Sequence, residues 1–393
     1  MRALIVCPDY PYPINGGNKV AVHGYICALK ELGFDEIDLV VFDRTQPQEG
    51  KDAFKNIWTM PIPRKFDLRK LWTAFMAGES YLFSRYSSEH NKTFLKKNFE
   101  KNKYDCILVE HAYMAQDLPE DVVNDRSIVK IVSSDVLEGR ALTQKAILTG
   151  NFLRRLLYSI EAKKAEREEF RILGNFKTVF FYCDEDLQYF RHKTGLKGGC
   201  KVNLGLDMER YVVVPRETGP SKVVVFYGAC SWYPNADALR YLLEDIWPLV
   251  AKKRNDVLLR IAGRGVPDWA YKFTNRQVEI VGEVSSMQKF VASSDVVLSP
   301  VRIGGGVRLK ILEAMAWGRP VISTSIGLEG NEVSNQSSVR VANSPEEFLV
   351  EIELLLSDSG LWDDCVCQGL QYIKREYDYR ENLVVALREA GGW

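Results

Sequence analysis

The sequence has no surplus of either charge: 52 Lys and Arg stand against 52 Asp and Glu in 393 residues. That balance argues against a general nucleic-acid binder, whose domain would carry a marked basic excess. No apolar run approaches the roughly 18–20 residues needed to span a bilayer. Met1 to Val6 enters a strand-like run with no signal-peptide core ahead of it. A cytoplasmic protein is therefore expected, with peripheral contact at the inner membrane face as the membrane role left open. Histidine is scarce, with four in all, and the eight cysteines are scattered. Only Cys365-Val366-Cys367 places two close together. With no second pair or histidine beside them, two helix-borne thiols are expected rather than a zinc site.

What is present is alternation. Short β-rich runs are expected at Arg2–Val6, Asp38–Phe42, Asp105–Glu110, Ser127–Ser133 and Thr178–Cys183, each followed by a helical pattern. A second series falls at Lys222–Tyr227, Val257–Ala262, Val278–Val281, Val296–Ser299, Pro320–Ser323 and Ser338–Val341. Nearly continuous apolar strands suit parallel sheets covered on both faces. The fold class is α/β, two doubly wound Rossmann-like domains with ligand sites at the carboxyl ends of their strands. The length fits two domains of about 150–200 residues. Gly198-Gly199, Pro215 and Gly219-Pro220 punctuate the chain, so the expected division is 1–200, 201–375 and a last helical segment 376–393.

Gly304-Gly305-Gly306-Val307-Arg308-Leu309-Lys310 lies between a strand and the helix that runs on through Glu313 to Trp317. A glycine loop feeding a helix offers unpaired N–H groups and the positive end of a dipole, suited to phosphate or sugar hydroxyls. Arg308 and Lys310 add positive charge where the dipole disfavours it. An anion held between loop and side chains would resolve that conflict. Glu313 sits one turn beyond Lys310, placed to reach sugar hydroxyls.

This run, with Gly318-Arg319-Pro320 to Thr324, Gly327 and Glu329-Gly330 behind it, resembles the donor-site signature of family 4-like retaining glycosyltransferases of the GT-B fold. The resemblance implies two Rossmann-like domains facing a cleft, a nucleotide-sugar donor held by the second domain, and no metal or other cofactor. Such enzymes usually carry two glutamates with seven residues between them. Glu313 matches the second, and Gly305 stands where the first would fall, as in a glycine-loop, Arg-x-Lys branch. Asn203-Leu204-Gly205-Leu206-Asp207 resembles the Asn-Gly-x-Asp loop near the start of the second domain. The resemblance further implies that the last helix, Tyr379 to Ala390, returns to the first domain.

Three other segments gain roles from the same resemblance. Gly16 and Gly17, after the first strand, match the paired glycines that face the donor diphosphate. His111, after Asp105–Glu110, matches the active-site histidine that contacts the donor sugar. Ser231-Trp232-Tyr233-Pro234-Asn235-Ala236-Asp237, following Tyr227-Gly228, resembles a Pro-Asn-x-Asp variant lacking the usual Arg and Lys. Charge neutralisation is then assigned to Arg308 and Lys310, with Arg264 as a further candidate because a guanidinium suits phosphate oxygens. Gly282-Glu283-Val284 resembles the segment that holds the nucleobase through its backbone.

Two charged segments have competing readings. Asp184-Glu185-Asp186 suits the start of a helix better than a metal. Pro61 to Lys103, basic and rich in Leu and aromatic residues, is either a membrane-facing amphipathic surface or a core-facing helix pair with solvated lysines. Glu161 to Arg171 reads as a solvent-exposed helix. The resulting expectation is a glycosyltransferase acting on a glycan, a lipid-linked saccharide or a small molecule. A non-catalytic nucleotide- or glycan-binding subunit and a sugar-nucleotide epimerase are the alternatives.

Overall fold

A computed structural model of the chain describes residues 1–42, 49–61, 67–216, 222–304, 306–331 and 338–393. They form two compact units: Met1–Asp207 with Tyr379–Trp393, and Met208–Asp378.

The first unit contains β1 (Arg2–Cys7), β2 (Glu36–Val41), β3 (Asn56–Thr59), β4 (Cys106–Glu110), β5 (Val129–Ser134), β6 (Thr178–Phe181) and β7 (Cys200–Lys201). Among the described residues these make one parallel sheet in the order β3-β2-β1-β4-β5-β6-β7. β4 is buried along its whole length. That explains its uninterrupted apolar run Cys106-Ile107-Leu108-Val109, since helices cover both faces of such a sheet. The second unit holds β8 (Lys222–Tyr227), β9 (Val257–Ala262), β10 (Val278–Gly282), β11 (Val296–Ser299), β12 (Val321–Ser323) and β13 (Arg340–Val341). Its order is β10-β9-β8-β11-β12-β13, again parallel.

Both orders reverse once, between β1 and β4 and between β8 and β11. Open α/β sheets bind ligands beyond the strand ends at such switch points. The loops found there are Pro8 to Gly16 and His111 in the first unit, and Gly228 to Trp232 and Pro300 to Arg308 in the second. These four loops carry most of the site residues expected from the sequence.

The C-terminal helix Leu383–Gly391 belongs to the first unit, with Leu383 against Gly24 and Gly205. A Cβ on Gly205 would lie 2.3 Å from a Leu383 methyl, so this contact requires glycine. The Tyr379 N–H donates to the Leu206 carbonyl at 3.0 Å, tying the same loop to the last segment. The segment begins as a turn, and its helix starts at Leu383 rather than Tyr379.

Several expectations need correction. β3 and β7 lacked a strand signal: both lie at sheet edges, β3 is only partly buried, and β7 is two residues long. The Glu161–Arg171 stretch is not a solvent-exposed helix. Ala162, Ala165 and Glu169 are buried, and the Glu169 carboxylate accepts the Glu138 and Gly139 N–H groups at 3.0 and 3.3 Å. Its acidic residues serve as caps for neighbouring backbone, because buried N–H groups need an acceptor. Asp184, Glu185 and Asp186 do occupy a helix first turn, yet the N-cap is Cys183. Asp186 is buried and paired with Arg140. Cys365 is buried and Cys367 exposed on one helix, Ser359–Tyr377.

Within Pro61 to Lys103, residues 62–66 lie outside the described residues, and the rest is neither wholly core-facing nor wholly exposed. Leu68, Trp72, Phe75 and Met76 of the Leu68–Ala77 helix are exposed, whereas Phe83 is buried and Leu82 packs on the core. No helix among the described residues is long and apolar enough to cross a membrane.

Candidate functional site

In the second unit the site is built on glycine. Gly228, Gly263 and Gly282 lie at the ends of the adjacent strands β8, β9 and β10, with φ of 151°, 144° and 77°. A Cβ on Gly263 would stand 1.9 Å from the Gly228 carbonyl oxygen, and one on Gly228 would stand 2.8 Å from Asn235 Nδ2. The strand ends therefore approach each other as bare backbone. Gly304 and Gly306 also take positive φ, 98° and 79°. Gly305 lies outside the described residues.

Two cations lie beside this floor. Lys310 is the second residue of the Leu309–Ala316 helix, and its Nζ donates to Asn235 Oδ1 at 2.7 Å. Asn235 Nδ2 in turn donates to the Ala229 carbonyl at 3.1 Å, which fixes the amide's orientation. The ammonium also lies 4.9 Å from the Phe226 ring centroid. Burial, aided by the Arg308 charge, pushes the Lys310 ammonium down to about 7. Arg308, at the N-cap, is buried, with its guanidinium 5.6 Å from the Trp232 ring centroid. Burial lowers its pKa and Glu329 pushes it back up; a guanidinium nevertheless stays charged. Glu313, one turn on, is partly buried, and burial raises its carboxyl to about 8. At neutral pH it is then a neutral acid, able to donate a hydrogen bond to a hydroxyl as well as accept one.

Asn331, which sequence reasoning missed, brackets Arg308. Its Oδ1 accepts the Arg308 backbone N–H at 2.7 Å, and its Nδ2 donates to the Arg308 carbonyl at 3.2 Å. The hydroxyls of Tyr372 and Tyr377 both donate to the Asn331 carbonyl, at 2.7 and 2.8 Å. Asn331 is fully buried. Asn331→Ala should therefore lower stability by about 2 kcal/mol, because it removes the acceptor of the buried Arg308 N–H and one of the two donors to its carbonyl, the other being the Ile311 N–H at 2.9 Å. Thermal unfolding of the variant beside wild type measures this. Arg264 stands apart: its side chain is exposed and faces Glu283 at 3.9 Å.

In the first unit His111 has φ of 69°, a strained value for a residue with a side chain. Its N–H donates to the Ser133 carbonyl at 2.8 Å, and its ring stacks on Tyr113 at 4.9 Å. Nδ1 lies 3.1 Å from Asp135 Oδ1, and Nε2 lies 3.2 Å from the Asn18 side-chain amide. Burial pulls its pKa down, but Asp135, Glu110, Glu138 and Asp9 outweigh it and the net shift is upward. Burial raises the neighbouring carboxyls of Glu110 and Glu138 to about 8 and about 7. Gly16 and Gly17 begin the Gly17–Glu31 helix, whose N-cap makes no side-chain bond. A Cβ on either would meet nothing within 4 Å. Neither glycine is required by the packing of the protein itself.

His23 was given no role from the sequence, yet it joins two loops. Its Nδ1 lies 3.1 Å from Tyr12 Oη, and its Nε2 lies 3.1 Å from Asp207 Oδ2. Two groups among the described residues have donor atoms close enough to hold a metal: Glu110, His111 and Asp135, and His23, Cys27 and Asp207. In both, the histidine nitrogens already have protein partners.

Comparison with known proteins bears on this arrangement. Residues 221–358 match the family model "Glycosyl transferases group 1". Over 97% of both chains, the protein is 21% identical to an "Uncharacterized 44.6 kDa protein in cps region" of Klebsiella pneumoniae. Among solved structures it resembles a variant of Staphylococcus aureus TarM in complex with fondaparinux, α-GlcNAc-glycerol and UDP (TM-score 0.69, 11% identity, 100% of both chains). It also resembles Anabaena HepE with UDP and glucose (TM-score 0.66, 12% identity, 99% of this chain and 98% of that one). A third is WaaG, a glycosyltransferase involved in lipopolysaccharide biosynthesis (TM-score 0.66, 15% identity, 98% of both chains). The protein thus has the α/β architecture of GT-B glycosyltransferases, and its second unit carries a segment matching group 1 glycosyl transferases.

Proposed function

We propose that the protein is a nucleotide-sugar-dependent glycosyltransferase that moves a sugar to an acceptor hydroxyl with retention at the anomeric carbon. The observation that carries the reading is the Lys310–Asn235 contact beside Arg308, over strand ends stripped to backbone. When the bond from the anomeric carbon to the donor phosphate breaks, its electron pair goes to the phosphate oxygen. Fixed cations stabilise that charge without reorganising. Lys310, Arg308 and the N–H groups of the Gly304 to Gly306 loop are assigned to it. Glu313 is assigned to donor hydroxyls, Gly228 to close approach of the donor, and Gly16 and Gly17 to its diphosphate. His111 is assigned to the donor sugar; Arg264 is a secondary phosphate contact. In a front-face displacement the acceptor hydroxyl attacks the face the diphosphate leaves, and its proton passes to the departing phosphate oxygen.

UDP in the TarM and HepE structures makes a uridine diphosphate sugar the first donor to test. The cps-region relative and WaaG favour a glycan or lipid-linked saccharide acceptor. Calorimetric titration of UDP, GDP, ADP, dTDP and CMP into the protein should give micromolar binding for one of them. Binding of none would overturn the donor-site assignment.

The site also predicts a pH dependence. With the free Lys310 near 7, a bound diphosphate raises its pKa, so binding above neutrality takes up a proton. Affinity for the intact nucleotide sugar should therefore be greatest below pH 7 and fall by up to about tenfold per pH unit above it. Titrations across that range check the slope, which should become shallower in Lys310→Ala, where the Glu313 carboxyl, at about 8, still titrates.

A further inference from the structure

We infer that the first unit docks on an anionic lipid bilayer through two adjoining helices, Leu68–Ala77 and the opening turns of Phe152–Leu173. On the first, Leu68, Trp72, Phe75 and Met76 recur at helical spacing and are 65–70% exposed. On the second, Phe152, Leu153, Leu156, Leu157 and Ile160 are exposed, Phe152 at 76%. The end of the first helix lies against the middle of the second, where Arg167 donates to the Gly78 carbonyl, and the segment that follows it is held to the same place. Glu161 accepts from the Ser80 hydroxyl at 2.7 Å and the Leu82 N–H at 2.9 Å, and the Lys164 ammonium lies 5.5 Å from the Phe75 ring centroid. Ile160, Leu157 and Leu153 precede Lys164 by four, seven and eleven residues, so they continue along its side of the helix.

Large exposed apolar surface of this kind marks a contact with something outside the chain. Its charge selects the occupant. Leu68 to Gly78 and Gly139 to Ile160 contain six basic residues and no carboxylate: Arg69, Lys70, Arg140, Lys145, Arg154 and Arg155. Lys70 is spent on the carbonyls of Ser84, Arg85 and Ser87, and Arg140 on Asp186. Arg69, Lys145, Arg154 and Arg155 are exposed beside the apolar side chains. Of the carboxylates that flank these stretches, Asp67 and Glu161 accept backbone N–H groups and Glu79 is exposed, so the apolar groups are rimmed mainly by long cations, which suits an interface of acyl chains and negative headgroups. A second copy of the chain fits poorly. Two-fold packing sets the same patch on both sides, so cations would face cations. The sequence expectation of membrane contact through 61–103 covered the first helix and omitted the second. The inference does not depend on the transferase reading.

Cosedimentation of the full chain with phosphatidylcholine vesicles, with and without about 30 mol% phosphatidylglycerol, tests it. Wild type should sediment with the anionic vesicles, less so at high salt, and far less with neutral ones. Trp72→Ser with Phe75→Ser, and separately Phe152→Ser with Leu153→Ser, should each weaken binding at least tenfold. These side chains are exposed, so thermal unfolding should be unchanged. Arg154→Ser with Arg155→Ser should remove the preference for anionic vesicles. Absence of vesicle binding, binding unaffected by both apolar pairs, or a wild-type dimer in solution that those pairs dissociate would each overturn the inference.

Discussion

Lys310→Ala is expected to lower kcat/KM for the nucleotide sugar by about a thousandfold while leaving the fold intact. Removing one fixed donor from a developing anion typically costs 10²–10³ in rate, and Lys310 would supply a full charge. Thermal unfolding distinguishes this proposed role from a structural one. Burial lowers the pKa of Lys310, meaning that the fold disfavours its charged form. That cost is fully present below pH 7 and fades as the pH approaches the ordinary lysine value, where both states are neutral. At neutral pH the alanine variant should therefore unfold at the same temperature as wild type or higher, a trade of stability for activity seen at other strained sites. Steady-state donor consumption and thermal unfolding of the same preparation provide both readouts. A variant that keeps wild-type kcat/KM, or loses activity only by unfolding, would refute the assignment.

What the sequence made legible was what local pattern controls. β1, β4, β8 and β11 are apolar runs ending at turn residues, and the loops beyond them could be located from chain order. β3 was hidden because Asn56-Ile57-Trp58-Thr59 is an edge strand with partial burial, and β7 is too short to carry a period. Glu169 was misread because a charged helix face looks the same whether its carboxylates meet water or cap another helix. Within the site, Arg308, Lys310 and Glu313 stood out by motif. Their partners did not, because they come from far along the chain. Asn235 is 75 residues from Lys310, and Asn331 is 23 from Arg308. Asn235 lay in a segment already singled out, where the missing basic pair drew attention away from the amide. His111 could be located after β4, but its φ of 69° and its contacts with Asn18 and Asp135 follow from the register of β1, β4 and β5.

The largest stability effect should come from Gly263→Ala. Two costs act together there. A φ of 144° is strained for any residue with a Cβ, and that Cβ would sit 1.9 Å from the Gly228 carbonyl oxygen. The second cost has no cheap escape, because the obstacle is backbone of the neighbouring strand end. Gly263 N–H donates to the Gly282 carbonyl at 2.7 Å and Gly228 N–H to the Ala262 carbonyl at 3.1 Å, so moving either glycine breaks a ladder bond. Conformational strain of about 1–3 kcal/mol and overpacking of similar size predict a loss of about 4 kcal/mol. Gly282→Ala supplies the control. It carries the φ cost at 77° but meets nothing within 4 Å, so it should lose only about 1–2 kcal/mol. For a unit of this size the two should lower the melting temperature by about 8–16 °C and about 2–8 °C, respectively. Calorimetry of both variants measures the difference. Equal losses would mean that the bare-backbone approach of β8 and β9 does not constrain the candidate site.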